Sequence, residues 1–323
     1  MLSTPFICCS IGVATACEMC IRDRVFDVGG SHVAAGVFGP GDMSVGAFHS
    51  IPVSSDGTVS EFLGTLASLA KVALHDHVSP MGVSVAIPNP FDYARGISYM
   101  EHKYRHLHGL DLRIMLSKVL LCDPGEIQFL NDAAAFLMGE IQQGAATGAD
   151  RVVGITLGTG LGSAFAIHGR IVVSGPGVPP GGEIWDLPYK NTIVEDFVSS
   201  LAIQRLYKEN TSTWAEVQDI ANASAKSAAA RRTFEQFGSR LGAVVHDTCG
   251  AFGPQRIILG GGIARAAALF QPSAQKELAA LGIELRVSQL GERAALLGAG
   301  VNWIRIHNGV AQPQEKTRAP DGA

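Results

Sequence analysis

The sequence predicts an α/β fold assembled from two related units, and three observations carry the prediction. Apolar stretches of strand length alternate with helix-length periodic segments along most of the chain. Glycine clusters stand at three strand ends, at residues 29–30, 158–162 and 260–262. One grammar of strand, glycine turn, strand, short turn and strand runs over residues 25–53 and again over 152–173. A chain of 323 residues, 47% hydrophobic and 17% charged, is long enough for two domains or one large one. That composition excludes a disordered chain, and 38 glycines, about 12% against a usual ~7%, single out the clusters. The formal net charge of -4 gives no electrostatic case for nucleic acid or an anionic membrane. No apolar run reaches the roughly 18 residues of a spanning helix.

The elements follow in order. Residues 25–27 open a strand that Gly29 and Gly30 interrupt, and residues 33–38 resume it. A Gly-Pro-Gly-Asp turn leads to a strand at 47–53. Ser54, Ser55 and Asp56 offer N-caps for a helix whose apolar period runs through Phe62, Leu66, Leu69 and Val72. Residues 83–87 form a buried strand stopped by Pro88-Asn89-Pro90. Residues 91–109 are loop-rich with a high density of His, Tyr, Arg and Lys, and by position 91–98 and 102–106 belong near the mouth of the expected binding site. A helix at 110–121, a strand at 127–130 and a helix capped by Asn131 and Asp132 and running to about Gln143 complete the first half. The second half has strands at 152–157, 163–167 and 171–173, a Gly- and Pro-rich loop at 174–191, and helices over much of 192–250. Within these helices, residues 221–230 are strongly helix-forming. A strand at 256–259 ends in Gly260-Gly261-Gly262, a helix follows from Ile263, and residues 292–306 form an amphipathic helix. The tail from Asn308 has the composition of a disordered segment.

Four of the six cysteines, Cys8, Cys9, Cys17 and Cys20, fall in the first twenty residues. Cys17 and Cys20 have C-x-x-C spacing, but no second pair follows at zinc-ribbon distance. No positive charge precedes the apolar stretch and Glu18 interrupts it, so a secretory signal fits badly. The expectation is that residues 1–24 are a foreign or mis-assigned leader. The isolated thiols elsewhere point to a reducing, cytoplasmic protein.

Three glycine clusters at strand ends suit a phosphate cleft. Glycine allows positive φ and close approach of a ligand to backbone N–H groups. Neither the dinucleotide spacing nor a Gly-Lys-Ser/Thr phosphate loop occurs. Asp132 stands where a strand ends and a helix begins, a place that fits a carboxylate base for phosphoryl transfer and equally a helix N-cap. His75, His77, His106 and His108 form two i, i+2 pairs that read as surface or cleft-rim residues rather than one metal site.

The segments FDVGGSHVAAGVF, VAIPNP, FLNDAAAFLMGE, ITLGTGLGSAFAI, GGE and IILGGGIARA resemble, in order and over nearly the whole chain, the ROK family of sugar kinases and sugar-responsive repressors. The resemblance implies two ribonuclease-H-like domains of the actin and hexokinase type, closing over ATP and a sugar. The first would comprise residues 25–131 plus about 292–306, and the second residues 132–291. Asp27 would position Mg²⁺ through water, with Gly29, Gly30 and Ser31 near the γ-phosphate. Gly158, Thr159, Gly160 and Gly162 would cradle the phosphates, and Gly260, Gly261, Gly262 and Ile263 would border the adenosine. Asp132 would be the general base. Asn89, Asn131, Glu183, Asp186 and Glu195 would bind the sugar, and Trp185 is a packing or sugar-stacking residue.

Two departures from the family pattern matter. Phe136 replaces the second alanine of the NDAxAAxxGE motif, and Asp186 stands where a histidine is usual. No cysteine lies between Cys122 and Cys249, so the family's zinc loop has no thiolates and no zinc is expected. The glycine turn is also similar to that of the polyphosphate glucokinases, which leaves polyphosphate as an alternative donor. The expected protein is an ATP- and Mg²⁺-dependent hexose kinase, glucokinase-like and a homodimer. The alternatives are a sugar-sensing regulator and a catalytically impaired sugar-binding protein.

Overall fold

The computed structural model describes residues 23–73 and 82–309. The expected leader (but for its last two residues) with its four cysteines, His75 and His77, and the tail beyond Gly309 lie outside the described residues.

In chain order the first half contains β1 (Asp23–Val28), β2 (His32–Gly39), β3 (Ser44–Pro52), α1 (Val59–Ala73), β4 (Val83–Ile87), β5 (Phe91–Asp92), β6 (Ile97–Ser98), α2 (Leu112–Leu120), β7 (Ile127–Asn131) and α3 (Asp132–Gln143). The second half contains β8 (Arg151–Leu157), β9 (Leu161–Ile167), β10 (Arg170–Val172), β11 (Pro188–Tyr189), β12 (Thr192–Ile193), α4 (Glu195–Val198), α5 (Ser200–Thr211), α6 (Val217–Ala223) and α7 (Ala228–Cys249). After these come β13 (Arg256–Gly260), α8 (Ala267–Leu278), β14 (Glu284–Val287) and α9 (Arg293–His307).

Two five-stranded sheets result, ordered β3-β2-β1-β4-β7 and β10-β9-β8-β13-β14. In each, the first three strands form an antiparallel meander; a fourth strand pairs in parallel with the first, and the fifth pairs in parallel with the fourth. The repeat read from the sequence is therefore a repeat of strand order and strand direction.

Each sheet has a bulky outer face and an inner face on which alanines are mixed with a few large side chains, Phe38 and Leu130 in the first sheet and Val152 and Ile258 in the second. Phe26, Val28, Val33, Val85, Ile87 and Phe129 pack with α1 and α2 on one side of the first sheet. Its other side offers Val25, Ala34 and Ala86 to Leu296, Ala299 and Val301 of α9. In the second sheet Val153, Ile155 and Leu157 face α7 and α8, whereas Ala164 and Ala166 face Ala133, Phe136 and Leu137 of α3. Small side chains on these inner faces let α9 and α3 lie close, and the two helices pack on each other between the sheets. A Cβ on Gly139 would lie 2.0 Å from the Ala294 carbonyl oxygen, and one on Gly298 1.8 Å from that of Ala135. Only glycine permits that approach.

Several local expectations change. Thr58, not residues 54–56, starts α1: its hydroxyl accepts from the Glu61 N–H at 3.2 Å, and its own N–H donates to the Glu61 carboxylate at 2.7 Å. The helix-forming stretch 221–230 is broken, because Ser227 caps a new helix by accepting from the Ala230 N–H at 3.2 Å. Beyond the third glycine cluster, a 3₁₀ turn over Gly262–Ala266 precedes α8. The strand β14 was not anticipated. Its sequence ELRV mixes two charges with two apolar residues, and its pairing with β13 defines it.

Candidate active site

The carboxyl ends of parallel strands from both sheets converge on the cleft, which is where α/β sheets hold their ligands. Asp27 lies near the end of β1, Asn131 ends β7 and Asp132 opens α3. The turn after β8 begins at Gly158, and Gly260 ends β13.

The first turn is a tight hairpin in which the Gly29 N–H donates to the His32 carbonyl at 2.9 Å. Ser31 is exposed, its hydroxyl 2.8 Å from His32 Nδ1. The Asp27 carboxyl is pushed up to about 7, first by burial and then by the negative charges of Asp132 and Glu292. Asp132 is raised as well, chiefly by burial; the Ala133 N–H and the Lys103 charge oppose the rise. Its Oδ1 accepts from the Ala133 N–H at 2.8 Å. The helix cap itself is Asn131, whose Oδ1 accepts from the Ala134 N–H at 2.9 Å. The division of labour is thus a correction: Asn131 caps the helix, and Asp132 is its first residue.

Asn131 also donates from Nδ2 to the Tyr93 hydroxyl at 3.3 Å. That hydroxyl in turn donates to Asn89 Oδ1 at 2.7 Å, and the Asn89 amide donates to Glu183 Oε1. Asn89, beside the cis bond to Pro90, comes from the first half and Glu183 from the second. Burial raises the Glu183 carboxyl, Asn89 and the Trp185 side chain oppose the rise, and Asp186 and Asp132 add to it. Trp185 therefore packs against the second core, and its side chain favours the ionised form of Glu183.

The second turn closes with the Gly158 N–H on the Gly160 carbonyl at 3.0 Å. The Gly158 carbonyl accepts from the Ser200 N–H at 2.9 Å and the Ser200 hydroxyl at 2.8 Å. Thr159 is exposed. Glu195 Oε2 accepts from the Leu161 N–H at 2.8 Å, so this carboxylate also braces the turn. A Cβ on Gly162 would lie 2.4 Å from the Thr156 hydroxyl.

Left-handed φ is not what these two turns require. Among the glycines of the three clusters, only Gly261 has positive φ, at 81°, and its Cβ would lie 2.3 Å from the Leu157 carbonyl oxygen. A Cβ on Gly260 would meet the Phe136 ring at 2.4 Å, so the bulkier Phe136 is accommodated by Gly260. Both glycines are accounted for by protein packing. Gly262 and Gly158 face open space, and Ile263 is buried.

Glu292 was not read from the sequence as a site residue, and Tyr93 and Lys103 were read only as members of the 91–98 and 102–106 segments expected near the mouth of the site, with no individual role. Glu292 pairs with Arg265. No cluster of three His, Cys, Asp or Glu with metal-holding geometry occurs among the described residues.

The chain's likeness to known proteins bears on this geometry. A family model described as the ROK family matches residues 25–305. A glucokinase of Thermotoga maritima is 29% identical over 250 residues, covering 67% of this chain and 77% of the relative. A ROK family glucokinase from Streptomyces griseus, solved in complex with glucose and AMPPNP, superposes with a TM-score of 0.74 at 21% identity, over 87% of this chain and 98% of that one. A ROK family transcriptional regulator, a homolog of the E. coli MLC protein, gives a TM-score of 0.74 at 18% identity, over 91% of this chain and 80% of that one.

Proposed function

The chain belongs to the ROK family, and from that premise we propose that it is an ATP-dependent kinase of a glucose-like hexose with Asp132 as its base. The observation that carries the reading is the placement of Asp132, which opens α3 near Asp27 and near Lys103, the ammonium that reaches the turns at Gly30 and Gly160. The glucokinase of Thermotoga maritima supports a sugar as acceptor, and AMPPNP in the Streptomyces griseus structure supports ATP as donor.

In the proposed reaction a sugar hydroxyl gives its proton to Asp132 as its oxygen bonds to the γ-phosphorus. The bond from that phosphorus to the bridging oxygen breaks, and its electron pair leaves with ADP. A base acts best with a pKa near the working pH, and burial moves Asp132 in that direction. The Asn89, Glu183 and Asn131 chain, tied through Tyr93, offers fixed donors and acceptors to sugar hydroxyls. Asp186 and the free oxygen of Glu195 complete that set. Gly29, Gly30 and Ser31 would meet the γ-phosphate, Gly158, Thr159, Gly160 and Gly162 the other phosphates, and Gly260, Gly261, Gly262 and Ile263 the adenosine. Mg²⁺ enters with ATP as part of the substrate and neutralises phosphate charge. Asp27 fits a cation held mainly by phosphate and water, because its neighbours Asp132 and Glu292 concentrate negative charge there. A homodimer in the cytoplasm belongs to the same proposal; no described helix is long and apolar enough to cross a membrane.

The test is ADP release across a hexose panel, with a phosphate-release arm using polyphosphate as donor. Turnover of glucose or a close relative with ATP is expected. A folded protein inert toward every sugar and both donors would reject the kinase. Sugar binding without turnover would favour the catalytically impaired sugar-binding protein or the sugar-sensing regulator, the latter being the reading that the likeness to the ROK transcriptional regulator supports.

A further inference from the structure

The segment HKYRH at residues 102–106 is left unused by the reaction as proposed. Its course is set by Tyr104, a buried residue with φ of 50°. The Tyr104 ring lies edge-on to Phe62 and His106. Its N–H donates to the Ser55 carbonyl at 3.0 Å, and its hydroxyl donates to the Gly29 carbonyl at 2.6 Å. The backbone next to Tyr104 is thereby tied to the first glycine turn.

Lys103 leaves that anchored backbone and reaches both turns. A Cβ on Gly30 would lie 3.6 Å from Lys103 Nζ, and a Cβ on Gly160 only 3.1 Å. The same point at Gly160 is 2.6 Å from Glu195 Oε2. One ammonium thus stands between the turn of the first unit and the turn of the second. A side chain at position 160 would crowd it, whereas one at position 30 would only touch it, so Gly160 is the glycine that keeps its place open. Among the described residues Nζ makes no hydrogen bond or ion pair, although Asp132 senses its charge. A half-buried ammonium without such a partner is unfavourable, and a phosphoryl group is the anion for which these turns leave room.

We propose, on the kinase reading above, that Lys103 contacts the terminal phosphoryl group of the bound nucleotide and is a catalytic residue of its transfer. As the bridging P–O bond breaks toward ADP and the sugar O–P bond forms, the ammonium offsets charge on the equatorial oxygens. It keeps its protons throughout, and the hydroxyl proton ends on Asp132.

The experiment compares wild type, Lys103→Met and Lys103→Arg, with melting temperature as the check on folding. Lys103→Met is expected to lower kcat about 100-fold or more, with the sugar KM little changed. It should also weaken AMPPNP binding by roughly tenfold, the worth of a charge-assisted hydrogen bond, and leave ADP binding unchanged. Lys103→Arg should recover most of both losses. If Lys103→Met keeps wild-type kcat and AMPPNP affinity, the proposal falls while wild-type turnover upholds the kinase. If the wild type phosphorylates no sugar yet prefers AMPPNP to ADP through Lys103, the kinase reading fails and the phosphoryl contact stands. If AMPPNP and ADP bind equally to wild type and Lys103→Met, the contact is overturned.

Discussion

Asp132 and Asp27 are two carboxyls that burial keeps from ionising easily, and each has a measurable consequence. Asp132→Asn removes the proton acceptor while sparing shape, so kcat should fall by about 10²–10⁴ with a smaller change in sugar KM, as steady-state kinetics will show. Asp27 reaches about 7 in the folded protein against 3.8 ordinarily, and Asp23 about 6. Between about pH 4 and 7 the unfolded chain releases protons that the folded chain retains. Stability of the ligand-free protein therefore falls as pH rises through that window, and the penalty is complete above it. Asp27→Asn should raise the melting temperature at pH 8 and alter it little at pH 4. Thermal scans across pH will report the difference. Asp27, Asn131 and Asp132 could be singled out as candidates because they sit where strands end beside glycine or a helix start, and the family resemblance supplied their expected roles. For Tyr93 and Lys103 only the neighbourhood was legible, because their individual contacts arise from tertiary packing of a loop that has no period of its own.

The crossing of α3 and α9 is the element on which the site depends most. Asp132 opens α3, and two glycines allow α3 to seat against α9. Gly298→Ala would force a methyl into the Ala135 carbonyl and should cost about 1–3 kcal/mol or more in denaturant unfolding. Because relief of that clash moves α3, kcat should fall with it. A mutation of equal cost on a face remote from α3, such as Leu116→Ala in α2, should leave kcat near wild type. At this scale the sequence was readable wherever apolar runs or periods were continuous, as in β4 and α3. It failed at β14, where a charged strand is fixed by its neighbour, and at Ser227, where a cap interrupts good helix formers.

Across the whole molecule, two sheets of the same strand order face one another, and the Asn89 to Glu183 hydrogen bond joins their halves at the cleft. A sugar held by that pair should tighten the two halves together. Hydrogen exchange is expected to slow at residues 83–90 and 180–187 when glucose is added, and Glu183→Ala should abolish the protection together with sugar binding. The duplicated architecture was legible because glycine turns recur at matching places in both halves. The small residues of the inner faces were not, since alanines at Ala34, Ala86, Ala164 and Ala166 acquire meaning only when α9 and α3 lie against them.

The position of α9 also has a consequence for how the protein is born. The first sheet emerges from the ribosome early, but the helix that covers its inner face is synthesised after every strand of the second sheet. Vectorial synthesis usually favours folding from the N-terminus onward. Here the earlier sheet waits with Val25, Ala34 and Ala86 uncovered, while the later one can close first over α3. Nascent chains stalled short of α9 should accordingly expose the first half to protease and protect the second.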